Sequence, residues 1–178
     1  MRRALAVLAA LALVVPLAAL PARAQNAALS GTFVLDRSAS DDIGAAIERA
    51  ARRVNALIRP IARRRLRGTN EPYGRIEIAQ VNGTSGADIT IATDGGAPVR
   101  TPASGTPVAW RRPADGDRLQ VSTAWSGATL RQTFRADDGQ RVNTYTLAPD
   151  GRTLTLDVAV SSPRLPGGLG YRLVYTKQ

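Results

Sequence analysis

The chain has 178 residues, 24 Lys and Arg against 14 Asp and Glu, a net charge of +10, and neither Cys nor His. That length suits one domain around one hydrophobic core. The missing residue types exclude disulfides, thiol nucleophiles, zinc or haem-histidine centres, imidazole bases and Ser-His-Asp triads, and no cofactor or metal is expected.

Residues 1–24 open with Met1-Arg2-Arg3, run apolar from Ala4 to Leu20 with one break at Pro16, and end in Ala22-Arg23-Ala24. A positive start, an apolar middle and a small-x-small site describe a secretory signal cleaved after Ala24. A retained anchor would need about 20 apolar residues and no cleavage site. No later stretch is apolar enough to span a bilayer, and no Cys is available to carry lipid at the new N-terminus. The expected product is periplasmic or secreted, a single domain of residues 25–178 with no transmembrane segment. Its net charge falls to +7. Export separates it from nucleic acid, the partner its basicity would otherwise suggest.

Thr32-Phe33-Val34-Leu35 reads as a first strand. From Asp41 to Arg67 the apolar residues Ile43, Ile47, Ala50, Ala51, Val54, Leu57, Ile58 and Ile61 recur at the spacing of one helical face. Ser38 or Ser40, with Asp41 and Asp42, supplies the N-cap and an acidic first turn. Pro60 lacks an N–H and is expected to kink or end the helix. The segment 43–67 carries eight arginines against Glu48, so its polar face is strongly basic.

The period then changes to two. Ile76 to Ile78, Ile89 to Ile91, Leu119 to Val121, Leu130 to Phe134, Leu154 to Val160 and Tyr171 to Leu173 alternate apolar with polar, as half-buried strands do. Asn82-Gly83, Asp94-Gly95-Gly96, Asp115-Gly116, Asp138-Gly139 and Asp150-Gly151 punctuate them as hairpin turns that tolerate positive φ. Short sequential turns predict an antiparallel up-and-down meander of about 8–10 strands, closed into a barrel in which the first and last strands pair. A two-sheet sandwich is the rival, but it requires a long crossover. Ala97 to Pro113, with Pro98, Pro102, Pro107 and Pro113, is the least strand-like stretch and is confined to an edge, bulge or loop. Trp110 within it is expected to anchor the core.

The element order resembles the calycin barrels. Gly31-Thr32-Phe33 is similar to the lipocalin Gly-x-Trp opening, with Phe in place of Trp. A helix between strands one and two looks like the fatty-acid-binding proteins. The whole exported region resembles small bacterial lipocalin-like proteins that begin with a Gly-Thr-aromatic-x-Leu-Asp strand and end near a Tyr-x-Leu-x-x-Asp-Gly hairpin, here Tyr145 to Gly151. In the lipocalins an arginine on the final strand packs across the opening aromatic. That resemblance implies a contact of Arg172 with Phe33.

A closed barrel would carry an apolar ligand pocket lined by Phe33, Trp125, Gln132, Phe134, Tyr145, Tyr171 and Tyr175, with the helical segment as lid; alternatively the helix and aromatics fill it. Gln132 shares the face of Leu130 and Phe134, so it points inward and needs a partner from a ligand, a tyrosine or a water. Tyr145 is ambiguous, since Val142 and Leu147 lie on opposite parities. No paired catalytic constellation stands out, which favours a non-enzymatic carrier of a small hydrophobic or amphipathic molecule. The alternative is an envelope module docking to anionic lipid, lipopolysaccharide or an acidic protein through Arg52, Arg53, Arg59, Arg63, Arg64, Arg65 and Arg67.

Overall fold

The computed structural model describes residues 29–178 except 84–85, 95 and 114; the expected signal at 1–24 lies outside the described residues. Ten antiparallel strands follow one another: β1 Gly31–Asp36, β2 Arg75–Gly83, β3 Gly86–Thr93, β4 Val99–Pro102, β5 Val108–Arg111, β6 Arg118–Ser126, β7 Thr129–Ala136, β8 Gly139–Leu147, β9 Thr153–Ser162 and β10 Leu165–Lys177. Two helices, α1 Ile43–Ala51 and α2 Arg59–Thr69, lie between β1 and β2. No helix of the described residues is long and apolar enough to cross a membrane.

The sheet order is β4-β3-β2-β1-β10-β9-β8-β7-β6-β5, so the two ends of the chain are neighbours. Phe33 stands opposite Lys177 and Leu35 opposite Tyr175. Each inward residue is thereby held in phase with its neighbour across the ladder, because a slip of one position would turn a whole strand inside out. The ends of the sheet, β4 and β5, meet in the proline-rich stretch. There Ser104 bridges Ala124, and the Gly105 N–H donates to the Thr123 carbonyl at 3.0 Å. The chain between β4 and β5 is a bent seam that pairs with β3 first and β6 second.

The alternating apolar residues converge as expected. Phe33, Ile76, Ile89, Leu130, Leu154, Leu156, Leu173 and Tyr175 are all fully buried in one cluster. Trp110 is half-buried on a second cluster with Val99, Leu119 and Val121, its ring edge-on to Phe134 at 5.8 Å. Among the turn glycines, Gly116 and Gly151 have positive φ. Gly139 does not: it is needed because a Cβ there would stand 2.6 Å from the Ser161 carbonyl oxygen.

The helical segment departs from expectation. Asp42 caps α1, its carboxylate accepting from the Ala45 N–H at 3.0 Å. The helix ends at Ala51, well before Pro60. The Asn55 side chain accepts from the Leu57 N–H at 2.9 Å, a local turn that competes with the helix. Pro60 sits in the first turn of α2, where its missing N–H has no role to lose. It starts a helix rather than kinking one. The apolar stripe therefore does not continue: α1 buries Ile43, Ala46, Ile47, Ala50 and Ala51, whereas Leu57, Ile58 and Ile61 are 87%, 47% and 59% exposed.

The expected contact of Arg172 with Phe33 is absent. Arg172 is exposed and its Nε lies 2.7 Å from Asp157; parity turns it outward between Tyr171 and Leu173. Lys177, opposite Phe33 in the register, places its ammonium 5.6 Å from the ring centre instead. It crosses close to Gly31, whose φ of +144° is a conformation that L side chains rarely adopt and that makes glycine the fitting first residue of the strand. In chemical denaturation, Leu156→Ala is expected to lower stability by about 2–5 kcal/mol, and Arg172→Ala, which removes a solvent-exposed pair, to leave the unfolding midpoint nearly unchanged.

Candidate ligand-binding cavity

The barrel is filled at one end and hollow at the other. A cavity of about 850 Å³ occupies the end covered by α2 and by the turns before β4, β6, β8 and β10. Its walls are apolar: Ile91, Val99, Leu119, Phe134, Val160 and Leu165 contribute, with Trp110 on one side. Ile58 and Ile61 stand at its rim beside Ala62 and Leu66 of α2.

Its floor is polar. The inward face of β8 presents Arg141, Asn143 and Tyr145, and the register sets Asn143 opposite Gln132 of β7. Arg141 donates from Nε to the Asn143 side-chain oxygen at 2.8 Å, and from Nη1 to the Thr69 carbonyl at 3.0 Å and the Asn70 side-chain oxygen at 3.5 Å. Asn143 Nδ2 donates to the Tyr145 hydroxyl at 3.3 Å, which donates to Gln132 Oε1 at 3.3 Å. Chemistry dictates these directions. A guanidinium can only donate, so Asn143 turns its oxygen to Arg141 and its nitrogen to Tyr145; Tyr145, having accepted, gives its proton to Gln132. The chain ends at Gln132 Nε2, a buried donor without a partner among the described residues.

Arg141 has no carboxylate partner among the described residues. Tyr73 places its ring 5.9 Å from the guanidinium carbon. Burial works against the positive charge, while the surrounding Tyr171, Tyr73 and Tyr145 favour it, and the net effect raises the Arg141 pKa above its ordinary value. Burial pushes the Tyr145, Tyr171 and Tyr175 hydroxyls above the ordinary phenol value, so they remain protonated donors. The Tyr171 hydroxyl donates to Asn70 at 3.2 Å, and Asn70 Nδ2 donates to the Leu66 carbonyl at 2.9 Å. These contacts fix the C-terminal end of α2 to the cavity floor. Its outer side is held by Arg65, 3.5 Å from Asp138 and 3.9 Å from Asp117.

Of the residues singled out from sequence, Gln132, Phe134 and Tyr145 line the cavity. Phe33 and Tyr175 lie in the filled half, Tyr171 binds the α2 end, and Trp125 packs against the core on β6. Arg141, Asn143, Asn70 and Tyr73 were not anticipated; the parity of Leu147 carried back along β8 would have turned Arg141 and Asn143 inward. The basic residues divide. Arg63 and Arg67 both pair with Glu48, at 2.8 and 2.9 Å, Arg65 reaches the turns, and Arg59 bonds back to the Val54 carbonyl at 3.3 Å. Arg53 bonds the Gly167 carbonyl at 3.2 Å yet stays exposed, as do Arg52 and Arg64.

The three buried phenols yield a pH prediction. Above about pH 10 the unfolded chain releases phenolic protons that the folded chain retains, so stability falls as pH rises through that range. Absorbance titration is expected to show these three tyrosinates appearing together with loss of near-ultraviolet circular dichroism; their ionisation in a still-folded protein would contradict the burial described.

No protein-family model matches the chain, and no curated protein matches it. Solved structures do. The chain is similar to a secretory abundant heat soluble protein from Ramazzottius varieornatus, at a TM-score of 0.57 and 9% identity over 85% of this chain and 96% of that one. It is similar to a variant of the fluorescent protein UnaG, at 0.52 and 12% over 86% and 98%. A third likeness is to the Schistosoma mansoni fatty acid binding protein in complex with arachidonic acid, at 0.50 and 14% over 85% and 96%. At such identities the likeness is one of fold: a ten-stranded antiparallel barrel with its helices between the first two strands.

Proposed function

We propose that the chain is an exported, non-enzymatic barrel that carries a small amphipathic molecule, seated with its polar head on the floor at Arg141 and its apolar body against the cavity walls. The observation that carries this reading is a cavity with apolar walls whose floor holds a guanidinium unpaired by any carboxylate of the described residues. A buried cation without a counter-charge is costly, and a ligand carboxylate or other acidic head relieves that cost through charge-assisted hydrogen bonds. The guanidinium also neighbours the Tyr171 hydroxyl, so an acidic head would be bound by Arg141 together with the neutral donors around it.

Displacement of a fluorescent long-chain acid from delipidated protein tests the proposal, alongside mass spectrometry of molecules co-purified from the native compartment. Wild-type protein is expected to bind the acid, and Arg141→Met to bind it about 10- to 100-fold more weakly, with Arg141→Lys in between. Equal affinity of wild type and a folded Arg141→Met would remove the head-group assignment.

A second reading, contact with an anionic envelope surface, is supported by the exposed Leu57, Ile58 and Ile61 flanked by Arg52, Arg53 and Arg64. Apolar side chains beside arginines suit the interface of an anionic bilayer. Cosedimentation with phosphatidylglycerol vesicles is expected to fall with added salt and to weaken in Leu57→Glu. Binding indifferent to both would eliminate this reading.

A further inference from the structure

Resting on the carrier reading above, we infer that the cavity selects amphiphiles with a second oxygen close to the acidic head, that is, hydroxy- or oxo-substituted acyl acids rather than plain ones. The inference starts from a surplus of donors. Starting at Arg141, each bond of the floor runs in one direction, and the last donor, Gln132 Nε2, is left over on a side chain only 1% exposed. Reversing the Gln132 amide does not cure this, because the Tyr145 proton would then lose its acceptor. The Tyr145 phenol, held protonated by burial, cannot become an acceptor-only group.

Gln132 is not alone. Thr123 stands directly opposite it on β6, fully buried, with its hydroxyl unpartnered, and the indole nitrogen of Trp125, two residues on along the same face, is likewise buried without a partner. Buried polar atoms are normally satisfied; of these three Gln132 is the one that lines the cavity, where a ligand oxygen can reach its donor. A head group held at Arg141 leaves this donor to a second ligand oxygen one pair deeper along the ladder. Gln132 and Arg141 are diagonal neighbours on paired strands, a spacing of about 7–8 Å between backbone positions. An oxygen on the first few carbons beyond the head spans that gap; an oxygen at the far end of the chain lies instead among the apolar walls and rim.

The test compares palmitic acid with its alpha-hydroxy, beta-hydroxy and omega-hydroxy derivatives as competitors of the same fluorescent acid. Wild-type protein is expected to favour an alpha- or beta-hydroxy acid over palmitic acid by about tenfold or more, and to treat the omega-hydroxy acid no better than palmitic acid. Gln132→Met keeps the shape of the side chain and removes the amide; it is expected to bring the preferred and plain acids to equal affinity while still binding both. Should that variant not fold, the ranking of the acids by wild-type protein decides alone. Equal binding of all four acids overturns the inference and leaves the carrier reading standing, as expected if a trapped water serves Gln132. A preference that persists in folded Gln132→Met also overturns it. Failure of every acid to bind removes both readings.

Discussion

Ten strands closed on themselves enclose more space than a small barrel's own side chains occupy, and this chain meets that constraint differently at its two ends. At the end where β1 begins and β10 finishes, Phe33, Tyr175, Leu154 and Leu156 fill the interior completely. Toward the other end the inward positions include Arg141, Asn143 and Gln132, which cannot be packed dry against aliphatics. Filling gives way to hydrogen bonding there, and hydrogen bonding to a cavity. Arg141 lies level with the apolar Phe134 and Val160 of the neighbouring strands, Asn143 and Gln132 stand one pair deeper, and Ile58 and Ile61 are at the rim.

Much of this was legible from period-two alternation, which placed Phe33, Ile76, Leu130, Gln132, Phe134 and Leu156 on the inner face. What it could not show were the inward Arg141 and Asn143. An arginine on a strand reads as solvent-facing by default, and on β8 the outward Val142 supplied a false parity against Leu147. Only the pairing of Gln132 with Asn143 resolves the conflict, and pairing register is a long-range property. The helix break was hidden for another reason: Asn55 diverts the backbone by one side-chain hydrogen bond, an event without an apolar signature. Pro60 then drew attention to the wrong place, since proline is harmless in the first turn of a helix. The contact of Arg172 with Phe33 came from a resemblance rather than from this chain, whose own register delivers Lys177 to the ring.

The two helices divide the work that one was expected to do. α1 completes the core through five buried residues. α2 buries Leu66 alone among its residues and is positioned instead by polar ties: Asn70 and Thr69 to Tyr171 and Arg141 within, Glu48 and the turn carboxylates to its arginines without. Exposed ion pairs contribute little stability, so the inner ties to Asn70 and Thr69 are the more consequential. They also make the same arginine serve the floor of the cavity and the end of the helix that covers it. A strongly basic composition thus resolves into arginines with distinct positions, several already satisfied by Glu48, Asp117, Asp138 or backbone carbonyls.

The seam between β4 and β5 is, among the described residues, the one place around the barrel where neighbouring strands share no ladder. In a fully laddered barrel, strand number and stagger together set the diameter. Here the circuit is completed across a bent, proline-interrupted stretch through the Ser104 bridge to Ala124, while β4 holds to β3 and β5 to β6 by four paired positions each. Widening at that join displaces a loop without unzipping a ladder. Val99 and Trp110, which flank the join, belong to the cavity wall, so the width of the cavity is tied to the least laddered part of the circumference.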